Sequence, residues 1–274
     1  MFRLSPDGRR VVSIRRSEGG FNFWIMDVLR AAWTQFTFLG APGSYPIWSP
    51  DGRQVMFQAG SQQNLFRKSS DGAGTEERVT ASPNPQIPAD WSRDGRLVLY
   101  DERTPDSKWD LWVMPVGPDG KPEPAKARLY LRTRFNEGLG RFSPEPNPRW
   151  VAYQSDESGR NEIYIRAFPE PRGKWQISTG GGKYPEWSPN GRELYYLTPE
   201  SKLMAVSVKL DANSLQPSAP RELFTIPSDT FFQPYAVAPD GIRFLVQAAV
   251  SQRSQPLEVI VNWPALLKNP SAKE

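Results

Sequence analysis

The 274-residue chain contains neither cysteine nor histidine. It therefore cannot form a Ser-His-Asp or Cys-His catalytic unit, and it lacks the usual ligands of zinc, haem iron and iron–sulfur clusters. A metal would need oxygen ligands, as calcium or magnesium does. No apolar run reaches the ~18 residues that a membrane-spanning helix requires. The opening residues, Met1 to Asp7, include no apolar core of a secretion signal.

Charged residues of both signs are spread along the chain. The 34 Lys and Arg residues against 30 Asp and Glu residues give a net charge of +4. The basic residues form short pairs instead of one long run, and no nucleic-acid-binding motif accompanies them. The pattern favours a solvated surface and predicts no nucleic-acid partner. The 14 Phe, 10 Trp and 9 Tyr residues supply large side chains for a core.

One six-residue phrase recurs along the whole chain. Its clearest copy is Trp48-Ser49-Pro50-Asp51-Gly52-Arg53, and successive copies are 43 to 51 residues apart. A β-rich period of about 40–50 residues indicates the blades of a propeller. The six copies are centred on Ser5, Ser49, Ser92, Ser143, Ser188 and Ala238.

Each repeat unit predicts a series of antiparallel strands. An inner strand leads into the phrase, and its Asp-Gly or Asn-Gly pair makes a hairpin turn because Gly and Asn accept a positive φ. A second and a third strand follow, rich in β-branched and aromatic residues. A fourth strand closes five units, whereas the last unit runs out after Trp263-Pro264.

We therefore predict an all-β, six-bladed propeller of four-stranded antiparallel blades. It forms one domain over residues 1–264, with repeats starting near 2, 45, 88, 139, 184 and 234 and a polar tail at 265–274. Because the last unit lacks an outer strand, we expect either an open edge on that blade or its completion by residues of a larger polypeptide.

The repeats resemble the WD-like propeller repeats of the TolB type, in which a phrase such as Trp-Ser-Pro-Asp-Gly-Arg is followed by strands such as Asp110 to Met114. Residues 180–191 and the ending 257–263 look like the C-terminal sensor propellers of bacterial serine/threonine protein kinases. This resemblance implies a periplasmic or extracytoplasmic sensor or scaffold. The chain itself lacks the kinase Gly-rich loop, His-Arg-Asp and Asp-Phe-Gly motifs, and it also lacks the Gly-x-Ser-x-Gly elbow of propeller peptidases.

Two sets of repeated residues invite a functional interpretation but have a simpler structural one. The acidic residues of the turns could form a ring of carboxylates, yet Asp before Gly is a strong hairpin signal that needs no ligand. Asp and Gly are adjacent here, unlike in the Asp box of sialidases. The aromatic residues before the Ser could stack on a ligand, but we expect packing between neighbouring blades instead. These aromatic residues are Trp48, Trp91, Phe142 and Trp187.

The loops that enter the inner strands are the best candidates for a ligand site, because a propeller gathers them at one mouth of its channel. Polar and aromatic residues alternate there, as a site for a small molecule or a peptide requires. The alternative is a water-filled channel lining. No cofactor is predicted, although Glu137 or Glu186 could hold calcium. The candidate residues are Ser44, Tyr45, Gln86, Asn136, Glu137, Arg141, Lys183, Tyr184, Gln233 and Tyr235.

The sequence thus predicts a non-catalytic binding module that takes a protein or small-molecule ligand at its channel mouth. The resemblance to kinase sensor propellers implies a kinase domain that is either fused to it or separate. The leading hypothesis is a sensor related to bacterial receptor kinases. A TolB-like periplasmic scaffold that binds proteins is the second, and a hydrolase using paired carboxylates such as Glu137 and Glu186 is the third.

Overall fold

A computed structural model describes residues 1–17, 20–39, 43–105, 108–211, 214–227, 234–247 and 258–260. Apart from a short 3-10 helix at Pro124–Lys126, the regular structure of these residues is β-strand. Consecutive strands pair antiparallel into six successive sheets. Within each sheet, the chain runs from the innermost strand outward.

The innermost strands lead into the repeated turns, and the second strands leave them. The innermost strands are β1 (Phe2–Leu4), β5 (Ser44–Trp48), β9 (Gln86–Trp91), β13 (Glu137–Phe142), β17 (Lys183–Trp187) and β22 (Tyr235–Val237). The second strands are β2 (Arg10–Ser17), β6 (Gln54–Ala59), β10 (Leu97–Arg103), β14 (Trp150–Ser155), β18 (Glu193–Leu197) and β23 (Phe244–Val246).

The third strands return antiparallel to the second, and the outer strands pair with the third. The third strands are β3 (Gly20–Asp27), β7 (Asn64–Ser69), β11 (Trp109–Pro115), β15 (Glu162–Ala167), β19 (Lys202–Leu210) and β24 (Glu258–Ile260). The outer strands are β4 (Ala32–Gln35), β8 (Glu77–Arg78), β12 (Arg128–Leu131), β16 (Trp175–Gln176), β20 (Leu215–Pro217) and β21 (Arg221–Thr225). Both β20 and β21 pair with β19, on different halves of that long strand.

The prediction of six four-stranded blades is wrong. The structure has five blades, each with its outer strand, and the last repeat forms a three-stranded sheet, β22–β23–β24. We call this last unit the closing sheet. The phrase repeats six times, but a blade also needs an outer strand, and the described residues after β23 contribute β24 alone.

The hydrophobic core lies between neighbouring sheets. The closing sheet packs on the fifth blade through Tyr235 and Phe244, and on the first blade through Ala236 and Leu245. The ring is therefore closed by apolar contacts on both sides of the closing sheet. The aromatic residues before the turns are at most 8% exposed and belong to these cores, which confirms the predicted packing between blades.

The Ser-Pro-Asp-Gly phrase is a self-contained turn. The Ser49 hydroxyl donates to Asp51 Oδ1 at 2.6 Å and accepts from the Gln54 amide at 2.9 Å, and Asp51 Oδ1 also accepts from the Arg53 amide at 3.0 Å. Burial alone would raise the pKa of Asp51, but the Ser49 and Arg53 hydrogen bonds outweigh it and lower the pKa. Ser5, Ser92 and Ser188 repeat the pattern. The turn interpretation of these acidic residues is thereby confirmed.

The turns also contact one another around the ring. A Cβ built on Gly8 would lie 3.1 Å from the Pro239 ring, so the proline of the closing sheet rests on the glycine of the first turn. The same contact recurs between Pro50 and Gly95 at 3.5 Å. These glycines have positive φ values and admit the neighbouring proline because they lack a side chain. The remaining pairs are Pro6–Gly52, Pro144–Gly191 and Pro189–Gly241.

The junction between the third and fourth turns lacks both the proline and the glycine of this contact. The third turn has Arg93 in place of proline, and the fourth, Ser143 to Trp150, contains no glycine. The Arg93 guanidinium instead donates to the carbonyls of Pro144 at 3.3 Å and Pro189 at 3.1 Å. It therefore links the third turn to the two that follow.

We predict that Gly8→Ala destabilises the protein more than Gly72→Ala. Both glycines have a positive φ, of +72° and +84°, but only the new Cβ at Gly8 meets another side chain. The left-handed backbone costs about 1–2 kcal/mol in either variant. Crowding against Pro239 adds about 1 kcal/mol at Gly8. Urea unfolding measures both losses, and equal losses would contradict a role for this contact in closing the ring.

Candidate functional site

The side chains two positions before each turn Ser surround the propeller axis. All six line one cavity of 480 Å³ that reaches outward to the turns. Four of them are charged, and the ring brings them together although they are far apart in sequence. In chain order they are Arg3, Ile47, Asp90, Arg141, Glu186 and Ala236. We call the four charged members the charge belt.

Glu186 is the centre of the charge belt. Arg3 Nη1 donates to Glu186 Oε1 from the first blade, and Arg141 Nε donates to the same oxygen at 2.9 Å from the fourth. Arg141 is buried and also donates to the carbonyls of Ala89 and Gly140. Two guanidinium groups thus share one carboxylate in a largely enclosed space, where charge-assisted hydrogen bonds are strong.

Asp90 is the fourth charged member. Its Oδ2 accepts from the Phe142 amide at 2.8 Å, across the junction of the third and fourth blades. Burial, and then the negative charge of Glu186, raise the pKa of Asp90 to about 7. This carboxyl group therefore changes charge close to neutral pH.

A second layer lies two residues earlier on the inner strands of the second, fourth and fifth blades, and we call it the tyrosine layer. Tyr45 and Tyr184, from the second and fifth blades, have φ values of 53° and 58°, and Leu139 of the fourth blade has 53°. Each begins a bulge in its inner strand. A non-glycine residue in this conformation costs about 1–3 kcal/mol and is most often kept at functional sites.

Tyrosine side chains near the axis interact electrostatically with one another and with Glu186 of the charge belt. Burial and then the Tyr45 hydroxyl raise the pKa of Tyr184 to about 12. The buried Tyr235 hydroxyl donates to the Tyr184 carbonyl at 2.5 Å. Burial and then Glu186 raise the pKa of Tyr235. The tyrosines and the charges therefore lie in adjacent layers of the inner strands.

Asp101 is a further buried carboxyl group, located where β10 meets β13. It is 3% exposed, and its Oδ2 accepts from the Leu139 amide at 3.0 Å. No described residue forms a hydrogen bond with its Oδ1. Burial raises the pKa of Asp101 to about 8, and the Leu139 bond offsets this only in part. The group is therefore largely protonated at neutral pH.

Three predicted site residues are held by neighbouring strands and loops. Gln86 donates to Glu102 at 2.5 Å, and the Asn136 amide groups donate to Asp156 at 2.6 and 2.9 Å. Glu137 accepts from Thr133 Oγ1 at 2.6 Å and from Ser155. Burial raises the pKa of Glu137 to about 6.

The remaining predicted site residues are spread over both layers of the channel and its surroundings. Tyr45, Tyr184 and Tyr235 meet near the axis, and Arg141 belongs to the charge belt. The Ser44 hydroxyl contacts Gln58, Lys183 is exposed, and Gln233 lies outside the described residues. Their role in binding stays a prediction.

The sequence interpretation missed Arg3, Asp90 and Asp101 as candidates. A signal for the first two exists, because aligning the six phrases places charged residues at the position two before Ser in four of them. Asp101 carries no such signal, because its environment depends on the Leu139 bulge of another blade.

The described ranges contain neither a cluster of metal ligands nor a helix that could cross a membrane. No group of three or more Asp or Glu side chains there could hold a metal ion. Glu137 and Glu186, the residues considered for calcium, have different partners. No helix in this part of the chain is long and apolar enough to cross a membrane.

Comparison with known proteins supports the fold. No family model matches the chain. TolB from Acinetobacter baumannii aligns with a TM-score of 0.66 and 13% identity over 91% of this chain and 60% of that one. A protein of Agrobacterium tumefaciens assigned to TolB aligns at 0.62 and 17% over 79% and 78%. An oligogalacturonate lyase in complex with manganese aligns at 0.62 and 16% over 96% and 73%. The protein is thus a TolB-type propeller in fold.

We predict that Asp101→Asn removes part of the pH dependence of stability. The folded-state pKa of Asp101 is about 8, above its ordinary value, so the folded protein holds a proton that the unfolded chain releases. The free energy of unfolding therefore falls as pH rises from about 4 to about 8. The variant should gain at least about 1 kcal/mol relative to the native protein between about pH 5.5 and 8.

Asp51→Asn is the matched control for this measurement. The folded-state pKa of Asp51 is lowered, so its contribution is lost only at acid pH and stays constant over the range tested. Urea unfolding at both pH values gives the comparison. Parallel profiles of the native protein and Asp101→Asn would contradict the buried, protonated carboxyl group.

Proposed function

We propose that this chain is a non-catalytic binding module whose ligand occupies the axial cavity above the charge belt. The convergence of Arg3, Asp90, Arg141 and Glu186 on that cavity is the observation that supports it. The cavity volume of 480 Å³ lies within the range of small-molecule sites, about 300–1,000 Å³.

The fold itself does not require charges at these positions. Ile47 and Ala236 occupy the equivalent positions of the second blade and the closing sheet, at 5% and 6% exposure. Withdrawing charged groups from water is costly, and a well-packed apolar residue is often equally stable or more so. Charge at four of the six positions is therefore better explained by a polar ligand than by stability.

We also propose the kind of protein in which this module works. The structural likeness to TolB supports a propeller scaffold, for which the proposed partner is a protein. The resemblance of residues 180–191 and 257–263 to kinase sensor propellers favours the sensor part of a receptor kinase. The mass of the native polypeptide distinguishes them, because a kinase sensor belongs to a much larger chain. In either setting the binding partner is a small molecule or a protein segment that reaches the cavity.

We predict that filling the cavity abolishes ligand binding. Ala236→Phe places a ring between the Arg3 and Glu186 sides of the belt, whereas Ala73→Phe, at an exposed position outside the cavity, leaves binding unchanged. Ligands are found by titrating panels of short peptides and small polar molecules and following tryptophan fluorescence, since Trp48 and Trp187 line the cavity. Saturable binding should weaken at least tenfold in Ala236→Phe alone.

Ile47→Phe fills the same cavity from the second blade and serves as an independent variant. Circular dichroism checks that each variant keeps its β-sheet structure. Binding that survives both substitutions in folded protein would contradict the proposal.

A carboxylate-based hydrolase is a second candidate, favoured by one observation. Asp90, with its pKa raised to about 7, interacts with Glu186, which two arginines hold. Such a pair could supply an acid and a base. Some structural relatives are enzymes, among them the oligogalacturonate lyase. This candidate requires turnover of a glycoside or ester that disappears in Asp90→Asn, and we expect none.

A further inference from the structure

The residues that line the axial cavity indicate the chemical class of its ligand. This inference rests on the proposed function. We propose that the cavity binds a carboxylate attached to an apolar body, with Arg3 as the group that receives the carboxylate. The acid could come from a small molecule or from the C-terminus of a peptide, since both offer the same group.

The charge belt carries an unbalanced positive charge. Arg3 and Arg141 contribute two positive charges, and Glu186 neutralises one of them. The pKa of Asp90 is about 7, so at about pH 6 its carboxyl group is mostly protonated and uncharged. The belt then has one positive charge in excess, which suits a ligand with a single negative charge.

The two arginines of the charge belt differ in the hydrogen-bond donors that they can offer to a ligand. The side chain of Arg141 is 4% exposed, and its Nε and Nη1 donate to Glu186 and to two carbonyls. The side chain of Arg3 is 17% exposed in the cavity, and its Nη1 donates to Glu186. No described residue accepts from Arg3 Nε or Nη2. Arginine has five N–H donors in a planar fork that matches a carboxylate, so Arg3 can bind one while it keeps Glu186.

An apolar wall lines the cavity between the charge belt and the turns. Prolines of five turns line this part of the cavity, together with the indole rings of three blades. A ligand whose carboxylate reaches the belt must therefore place its next atoms against apolar surface. The wall consists of Pro6, Pro50, Pro144, Pro189, Pro239, Trp48, Trp91 and Trp187.

The experiment compares N-acetylated tripeptides ending in leucine, as the free acid and as the amide, with hexanoate as the small acid. Calorimetry on the full chain at about pH 6, below the pKa of Asp90, should show saturable binding of free acids, with the amide at least tenfold weaker. A peptide acid that binds more tightly than hexanoate identifies a peptide terminus as the source. Equal affinities of the peptide acid and hexanoate identify a small carboxylic acid as the source of the carboxylate.

Two variants locate the carboxylate. Arg3→Gln should weaken binding of the acid at least tenfold, whereas Arg53→Gln, at an exposed turn position outside the cavity, should not change it. If Arg3→Gln does not fold, the native protein still tests the proposal through pH. The groups that face Asp90 are Glu186, Arg3 and Arg141, and an incoming anion adds to the repulsion from Glu186.

Acid binding must therefore favour protonated Asp90, and affinity should fall about threefold to tenfold from about pH 6 to 8.5. Asp90→Asn should bind the acid without this dependence.

Equal binding of acid and amide, a flat pH profile in the native protein, or no saturable binding of any free acid would overturn the inference. If amides or cations bind instead and Ala236→Phe blocks them, the inference fails while the proposed function stands. If cavity-filling variants affect no ligand at all, the proposed function fails.

Discussion

The contact between the proline of one turn and the glycine of the next is the constraint on which the ring depends. Hydrogen bonds between Ser and Asp or Asn hold four of the six turns internally, so a contact between turns fixes the spacing of whole sheets. Pro239 on Gly8 joins the closing sheet to the first blade and completes the circle. The single exception keeps a connection of a different kind, because Arg93 reaches the carbonyls of the following turns.

A closed ring places equivalent residues of all repeats at one depth along the axis. Residues at the same position of each repeat therefore lie in one layer around the axis. One such layer contains the charged side chains around Glu186. The layer beneath it is formed by Tyr45 and Tyr184 on strained inner strands. Rigid turns, a closed ring and left-handed bulges together hold a polar cavity at the centre of an otherwise apolar assembly.

The propeller fold could be predicted from the sequence, because the spacing of the repeated phrase gives the repeat length and its Asp-Gly pair predicts the hairpin turn. The blade count could not, since the phrase marks the inner hairpin, whereas an outer strand such as Trp175–Gln176 is only two residues long. Tyr45 and Tyr184 were expected at the channel because their loops precede inner strands. Asp101 was missed because its raised pKa arises from burial against another blade, which no local pattern records. Asp90 occupies a position that is charged in four of the six aligned phrases, so a signal for it exists in the sequence.

The central claim is that the axial cavity above the charge belt is where this propeller binds its ligand. Nitrogen-15 NMR of the indole N–H groups tests it directly, because Trp48 and Trp187 line the cavity and donate to the Arg3 and Arg141 carbonyls. On saturation with a bound ligand, these two indole signals should shift, whereas that of Trp175 on an outer strand should not. Shifts confined to outer-strand indoles would contradict the account.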